Sequence, residues 1–109
     1  MNPRIESLTK MLDGPRDGAL LRFSLGNEYL KAGAPGEAAK CFLAAVDRDP
    51  QYSAAFKALG KALNEAGDPA GARAAYQQGI VIAEDKGDLQ AAKEMKVFLR
   101  RLSPAPVQT

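Results

Sequence analysis

The sequence predicts an all-α protein that forms one domain, and three observations support this. Alanine is the main contributor to the 46% of apolar residues, with only four Phe, three Tyr and no Trp, a composition that favours closely packed helices over bulky sheet layers. No segment alternates β-branched and polar residues as a half-buried strand would. The sequence also matches itself at a shift of 34 residues. A chain of 109 residues has the usual size of one domain.

The internal match indicates a duplicated structural unit. Paired dipeptides and a paired proline fall in one register, which alanine content alone would not produce. The matched positions are Leu25-Gly26 with Leu59-Gly60, Ala32-Gly33 with Ala66-Gly67, Pro35 with Pro69, Ala38 with Ala72, and Phe42 with Tyr76.

Each copy is predicted to contain two helices joined by a tight turn. Gly33 and Gly67 suit the left-handed conformation that ends a helix. Pro35 and Pro69 suit the first position of the next helix, where the missing amide hydrogen costs nothing. Asp68 is a favourable N-cap in the second copy.

The two copies resemble the tetratricopeptide repeat, whose signature is W-x2-L-G-x2-Y, then A-x3-F, then P. The first copy supplies Leu25-Gly26, Tyr29, Ala38, Phe42 and Pro50, with Arg22 in place of the leading aromatic. The second copy supplies Phe56, Leu59-Gly60, Ala72 and Tyr76, with Leu63 in place of the tyrosine. The resemblance implies a right-handed superhelix of antiparallel helix pairs.

The second copy lacks the final proline, since Glu84 stands at that position. Its second helix is therefore expected to continue toward Lys86. The signature also implies that the small residues Gly26, Gly60, Ala38 and Ala72 lie where the two helices of a repeat come closest.

The flanks are predicted to complete the stack, because two repeats alone bury too little apolar surface. Asn2-Pro3 begins an N-terminal capping helix, and Gly87-Asp88 precedes a closing helix. The predicted organisation is a capping helix over 3–12, repeats over 19–52 and 53–86, a closing helix over 88–102 and a disordered tail over 103–109. The six predicted helices lie near 3–12, 19–32, 35–48, 53–66, 69–85 and 88–102.

Composition argues against catalysis. Without histidine the chain lacks the commonest general base and the usual zinc ligand sets. Cys41 is the only cysteine, so no disulfide forms within the chain and no histidine activates the thiol. No glycine-rich phosphate loop is present. We expect no enzyme activity, no cofactor, no metal and no catalytic residues.

No apolar stretch approaches the roughly 18 residues of a membrane span. The sequence has no apolar run behind its first positive charge, as a secretory signal would. A cytoplasmic location without membrane contact is therefore the expectation.

The family resemblance assigns ligand binding to the concave face, on the first helix of each repeat. This face would have an apolar half and a basic half, and would suit a peptide with an apolar anchor near a carboxylate. The candidate residues are Leu20, Phe23, Asn27 and Leu30 in the first copy, and Lys57, Lys61 and Asn64 in the second, beside Ala54.

Two features limit this assignment. Leu20, Phe23 and Leu30 would equally suit packing against neighbouring helices or a second copy of the chain, with the lysines merely solvated. Family members that grip chaperone C-termini use lysine and asparagine where this chain has Phe23 and Lys61, and only Asn27 matches. A chaperone tail is therefore not the predicted ligand.

The closing helix carries a second, basic face formed by Lys93, Lys96 and Arg100. It lacks the dense charge and stacking aromatics of nucleic-acid surfaces, so a solvated face is the favoured interpretation. The sequence predicts a non-enzymatic scaffold that binds a protein or peptide of unknown identity. Self-association is the alternative, and nucleic-acid binding is less favoured.

Overall fold

A computed structural model describes residues 2–102, which form six helices and no strand. Successive helices pack as antiparallel neighbours, as predicted for an all-α repeat protein. The helices are α1 (Pro3–Thr9), α2 (Ala19–Lys31), α3 (Pro35–Arg48), α4 (Ser53–Glu65), α5 (Pro69–Lys86) and α6 (Leu89–Arg101).

Five of the six predicted helices agree with the structure to within one residue at each end. The predicted disordered tail over 103–109 lies outside the described residues. Within the described part, every helix is too short or too polar to serve as a membrane crossing.

Turn residues end and begin the helices as their chemistry predicts. Gly33 and Gly67 adopt φ of 76° and 88°, the left-handed region that glycine enters without steric cost. The Asp68 carboxylate accepts a hydrogen bond from the Gly71 amide at 2.9 Å and caps α5. Without the final proline of the signature, α5 runs on to Lys86, as expected.

The predicted extent of α1 is wrong, since this helix ends at Thr9 rather than at residue 12. The amides of Met11 and Leu12 bond to carbonyls three residues back, at 3.0 and 3.1 Å, and so form tighter turns than an α-helix. Asp13 then takes a left-handed φ of 64° and turns the chain toward α2. Apolar spacing continues to Leu12, but the backbone has already left the helix.

Each repeat contains a close approach between a glycine and an aromatic ring. A Cβ built on Gly26 in α2 would lie 2.5 Å from Cε1 of Phe42 in α3. A Cβ on Gly60 in α4 would meet the Tyr76 ring of α5 in the same way. Both rings are buried. The helix pairs therefore pack at a separation that only glycine permits at these positions.

The closing helix α6 covers the end of the second repeat. Met95 is fully buried and, with Ala91 and Ala92, packs into the core shared with α5. A Cβ on Gly79 would lie 2.5 Å from the Met95 sulfur, so α5 and α6 also meet at a glycine. The Ser53 hydroxyl donates to the Asp88 carboxylate at 3.3 Å and ties the two helix starts together.

Arg22 occupies the signature's leading aromatic position and binds the chain that precedes the first repeat. Its guanidinium donates to both carboxylate oxygens of Asp17, at 2.9 and 2.7 Å. The Asp17 side chain is only 8% exposed. This hydrogen bond, with a second from the Asp13 amide, holds the pKa of Asp17 well below its usual range against the cost of burial. An ion pair thus replaces an aromatic contact at the edge of the repeat.

Replacing Gly60 with Leu should lower the free energy of unfolding by about 1–3 kcal/mol or more, because the side chain would collide with the buried Tyr76 ring. The replacement of Ala72, which is fully buried, with Leu should have a similar effect. Gly36→Leu is the matched control, since a Cβ there meets open space. Urea unfolding measures all three. A Gly60→Leu protein as stable as the control would contradict the close approach.

Acid should remove the stabilisation that Asp17 provides. Because its folded pKa lies below the ordinary value of about 3.9, the ionised carboxylate stabilises the fold at neutral pH, and this stabilisation is lost as the pH falls below about 4. Asp17→Asn lacks the titrating group. Urea midpoints at about pH 7 and about pH 3 should therefore differ more for the natural protein than for the variant. Equal pH dependence of the natural protein and the variant would show that Asp17 has the same pKa in the folded and unfolded chain.

Candidate functional site

The first helices of the repeats lie side by side on the inner face of the stack. The helices α2 and α4 contact each other, and so do α4 and α6. The outer helices α3 and α5 do not come within 8 Å of each other, measured between Cα atoms. Contact on one side and separation on the other make the face of α2, α4 and α6 the inner curve.

The predicted apolar half of this face is largely used by the fold itself. The Phe23 ring centroid lies 5.7 Å from that of Phe42 and 5.0 Å from that of Tyr52, and the ring is half-buried. Leu30 also packs partly buried against the same core. Leu20, by contrast, is 69% exposed. Of the three apolar candidates, only Leu20 keeps most of its surface in water.

The predicted basic half is divided between a paired and an unpaired lysine. The Lys57 ammonium lies 2.9 Å from the Glu94 carboxylate of α6, and this hydrogen bond and charge lower the pKa of Glu94. Lys61 is exposed and makes no ion pair within residues 2–102. Asn64, one turn further along α4, is exposed as well, and Asn27 on α2 is half-buried.

An open pocket of about 300 Å³ lies beside Lys61, between α4 and the end of α6. The buried Tyr76 ring and the half-buried Phe98 ring stand 5.8 Å apart, centroid to centroid, and line it. Burial, with a smaller contribution from the Glu65 charge, raises the pKa of Tyr76 to about 12, so its phenol is neutral at physiological pH. The full lining is Lys61, Asn64, Glu65, Tyr76, Phe98, Arg101 and Leu102.

Sequence reasoning missed this pocket, although one signal was available. Phe98 stands 34 residues after Asn64, so extending the repeat period into α6 places both on the inner face. The sequence gives no such signal for Arg101, because its place in the pocket depends on where α6 ends.

The second predicted basic face is partly neutralised. Lys96 lies 2.8 Å from the Glu84 carboxylate of α5. Lys93 and Arg100 are exposed, and neither has an ion pair in the described part of the chain. Two cations without ion pairs on this side of α6 could neutralise few phosphates, so this face provides little attraction for nucleic acid.

Cys41 is positioned as a packing residue. It is half-buried in α3, and burial raises the pKa of its thiol despite the opposing charge of Arg22. A raised pKa keeps the sulfur protonated and weakly nucleophilic at neutral pH. Between residues 2 and 102, no cluster of three or more acidic or cysteine side chains could hold a metal ion.

Paired antiparallel helices with glycine at each close approach define a helical repeat protein with a concave inner face. A tetratricopeptide repeat model matches residues 23–88, more than half of the sequence. The chain therefore belongs to the tetratricopeptide repeat family.

Individual relatives agree with this assignment. The chain is 54% identical over 101 residues to the TPR repeat-containing protein PA0015 of Pseudomonas aeruginosa, an alignment covering 93% of this chain and 96% of the relative. Its fold is similar to the solution structure of protein BPP2914 from Bordetella parapertussis, with 46% identity, a TM-score of 0.78, and coverage of 93% of this chain and 88% of the other. A tetratricopeptide repeat domain protein from Salinibacter ruber matches at 25% identity and a TM-score of 0.76, over 89% and 100% of the two chains.

Phe23→Ala should lower the free energy of unfolding by about 2 kcal/mol, because the ring supports both Phe42 and Tyr52. The cost stays below that of a fully buried phenylalanine since part of the ring remains in water. Leu20→Ala, at a strongly exposed position on the same helix, should change stability by less than about 0.5 kcal/mol. Thermal unfolding measures both. Equal stability of the two variants would mean that Phe23 is a free surface residue.

Proposed function

We propose that this chain is a non-enzymatic scaffold that binds a protein or peptide on its concave face. The proposal rests on the surroundings of Lys61, an exposed cation without an ion pair in residues 2–102 that lines one pocket with the half-buried Phe98 ring. Aromatic surface next to an available charge is typical of interface residues that contribute binding energy. Membership of the repeat family supports the same interpretation.

The proposed binding surface keeps the predicted residues but gives them different roles. Leu20, Lys61 and Asn64 are exposed and would contact ligand directly. Phe23 and Leu30 would support the surface, since both are partly buried and pack against the core. Lys57 would contribute only if a ligand carboxylate competed with Glu94.

We also propose a cytoplasmic location. The lone Cys41 supports it, since a small secreted domain would usually rely on disulfides. Self-association remains the alternative function, with the exposed Leu20 and Leu89 as candidate contacts. Light scattering separates the two, because a scaffold for other proteins is expected to be monomeric without its ligand.

Panning a library of random displayed peptides against the whole chain tests the function. Selected peptides should associate about tenfold more slowly with Lys61→Glu at about 50 mM salt, and the difference should shrink at about 500 mM, because exposed charges mainly steer encounter. Lys93→Glu is the matched control, carrying the same charge change at another exposed position.

Adding Lys57→Glu to Lys61→Glu should slow association further, but it also places a carboxylate beside Glu94 and should cost stability. Surface plasmon resonance gives the rates. If the double variant Lys57→Glu with Lys61→Glu binds selected peptides at low salt as the natural protein does, the concave face is not the binding site.

A further inference from the structure

We propose that the pocket between α4 and the end of α6 receives an aromatic or branched aliphatic side chain of a peptide, with a neighbouring single carboxylate held by Lys61 and Arg101. The inference rests on the proposed function and makes it more specific. It keeps the ligand class that the sequence predicts, an apolar anchor near a carboxylate, and moves the anchor from Phe23 to this pocket.

Four cations of α4 and α6 differ in whether the fold supplies them with a counter-ion. Lys57 is paired with Glu94, and Lys96 with Glu84, at 2.9 and 2.8 Å. Neither Lys61 nor Arg101 has an ion pair within the described residues, yet both line the same pocket. The fold thus supplies counter-ions to two neighbouring cations and leaves these two available. A guanidinium beside an ammonium suits a carboxylate, which Arg binds through two parallel hydrogen bonds.

The apolar lining of the pocket determines which side chain it can receive. The half-buried Phe98 ring supplies accessible aromatic surface, and the buried Tyr76 ring, tilted by 38° to it, and Leu102 complete the lining. A volume of about 300 Å³ is at the small end of ligand pockets, so it suits one side chain rather than a large cofactor. The pocket is also built on residues that the fold already buries, Tyr76 and Leu102, which fixes its shape before a ligand arrives.

Glu65 limits the negative charge that the pocket would accept from a ligand. Glu65 lines the same pocket, so the formal charge of Lys61, Arg101 and Glu65 together is one positive unit. One ligand carboxylate would balance this charge, whereas a second would meet repulsion from Glu65. A peptide with one acidic residue beside an apolar one therefore fits better than a polyacidic run or a nucleic-acid backbone.

The probes are hydrocinnamate, a phenyl ring on a short chain ending in a carboxylate, and hydrocinnamide, its uncharged amide. Each is titrated into the whole chain while backbone amide NMR shifts are followed. Hydrocinnamate should move signals from the second half of α4 and the end of α6, and should bind at least about fivefold more tightly than hydrocinnamide. Lys61→Gln and Arg101→Gln should each weaken hydrocinnamate several-fold, and Lys93→Gln should not. Equal binding of the two probes, or shifts confined to other helices, would overturn the proposal.

The outcomes also separate this inference from the proposed function. If selected peptides bind the chain but neither Lys61→Gln, Arg101→Gln nor saturating hydrocinnamate weakens them, the pocket assignment is wrong and the scaffold function stands. If no peptide can be selected yet hydrocinnamate binds with the expected charge preference, the pocket stands and the scaffold function fails. A light-scattering dimer that hydrocinnamate dissociates would identify a second copy as the occupant and overturn the peptide proposal.

Discussion

A glycine backbone packed against an aromatic ring joins the two helices of each repeat, and the rest of the structure depends on this contact. Gly26 meets Phe42 in the first repeat, and Gly60 meets Tyr76 in the second. Because each pair is drawn together at the same place, the pairs stack in the same orientation. The inner helices then contact one another while the outer helices α3 and α5 stay apart. Two glycines placed 34 positions apart thus give both helix pairs of the curved stack the same close approach.

The closing helix does more than cover apolar surface. Its packing through Met95 brings Glu94 to Lys57, so a lysine that the repeat pattern places on the concave face is already neutralised. The same helix places Phe98 and Arg101 beside Lys61 and so creates a pocket that neither repeat has by itself. The charge available to a ligand is therefore decided by α6 together with α4, and not by the repeats alone.

The fold was predictable because its signals are local. The left-handed turns at Gly33 and Gly67 follow from residue type and position, as does the capping by Asp68. The site was predictable only in part. The burial of Phe23 depends on Tyr52, which lies at the far end of the same repeat, just before α4, and the pairing of Lys57 depends on Glu94, 37 residues away. Such contacts require the relative rotation of packed helices, which the hydrophobic period does not determine to within one side chain.

The face on which a ligand lies is the central question, and amide NMR mapping of a selected peptide at saturation answers it most directly. Concave-face binding predicts that the perturbed signals belong to α2, α4 and α6, with the strongest around Lys61 and Phe98. The outward surfaces of α3 and α5, where Leu43 and Val81 are exposed, should change little. Perturbations concentrated on α3 and α5 would contradict binding on the concave face.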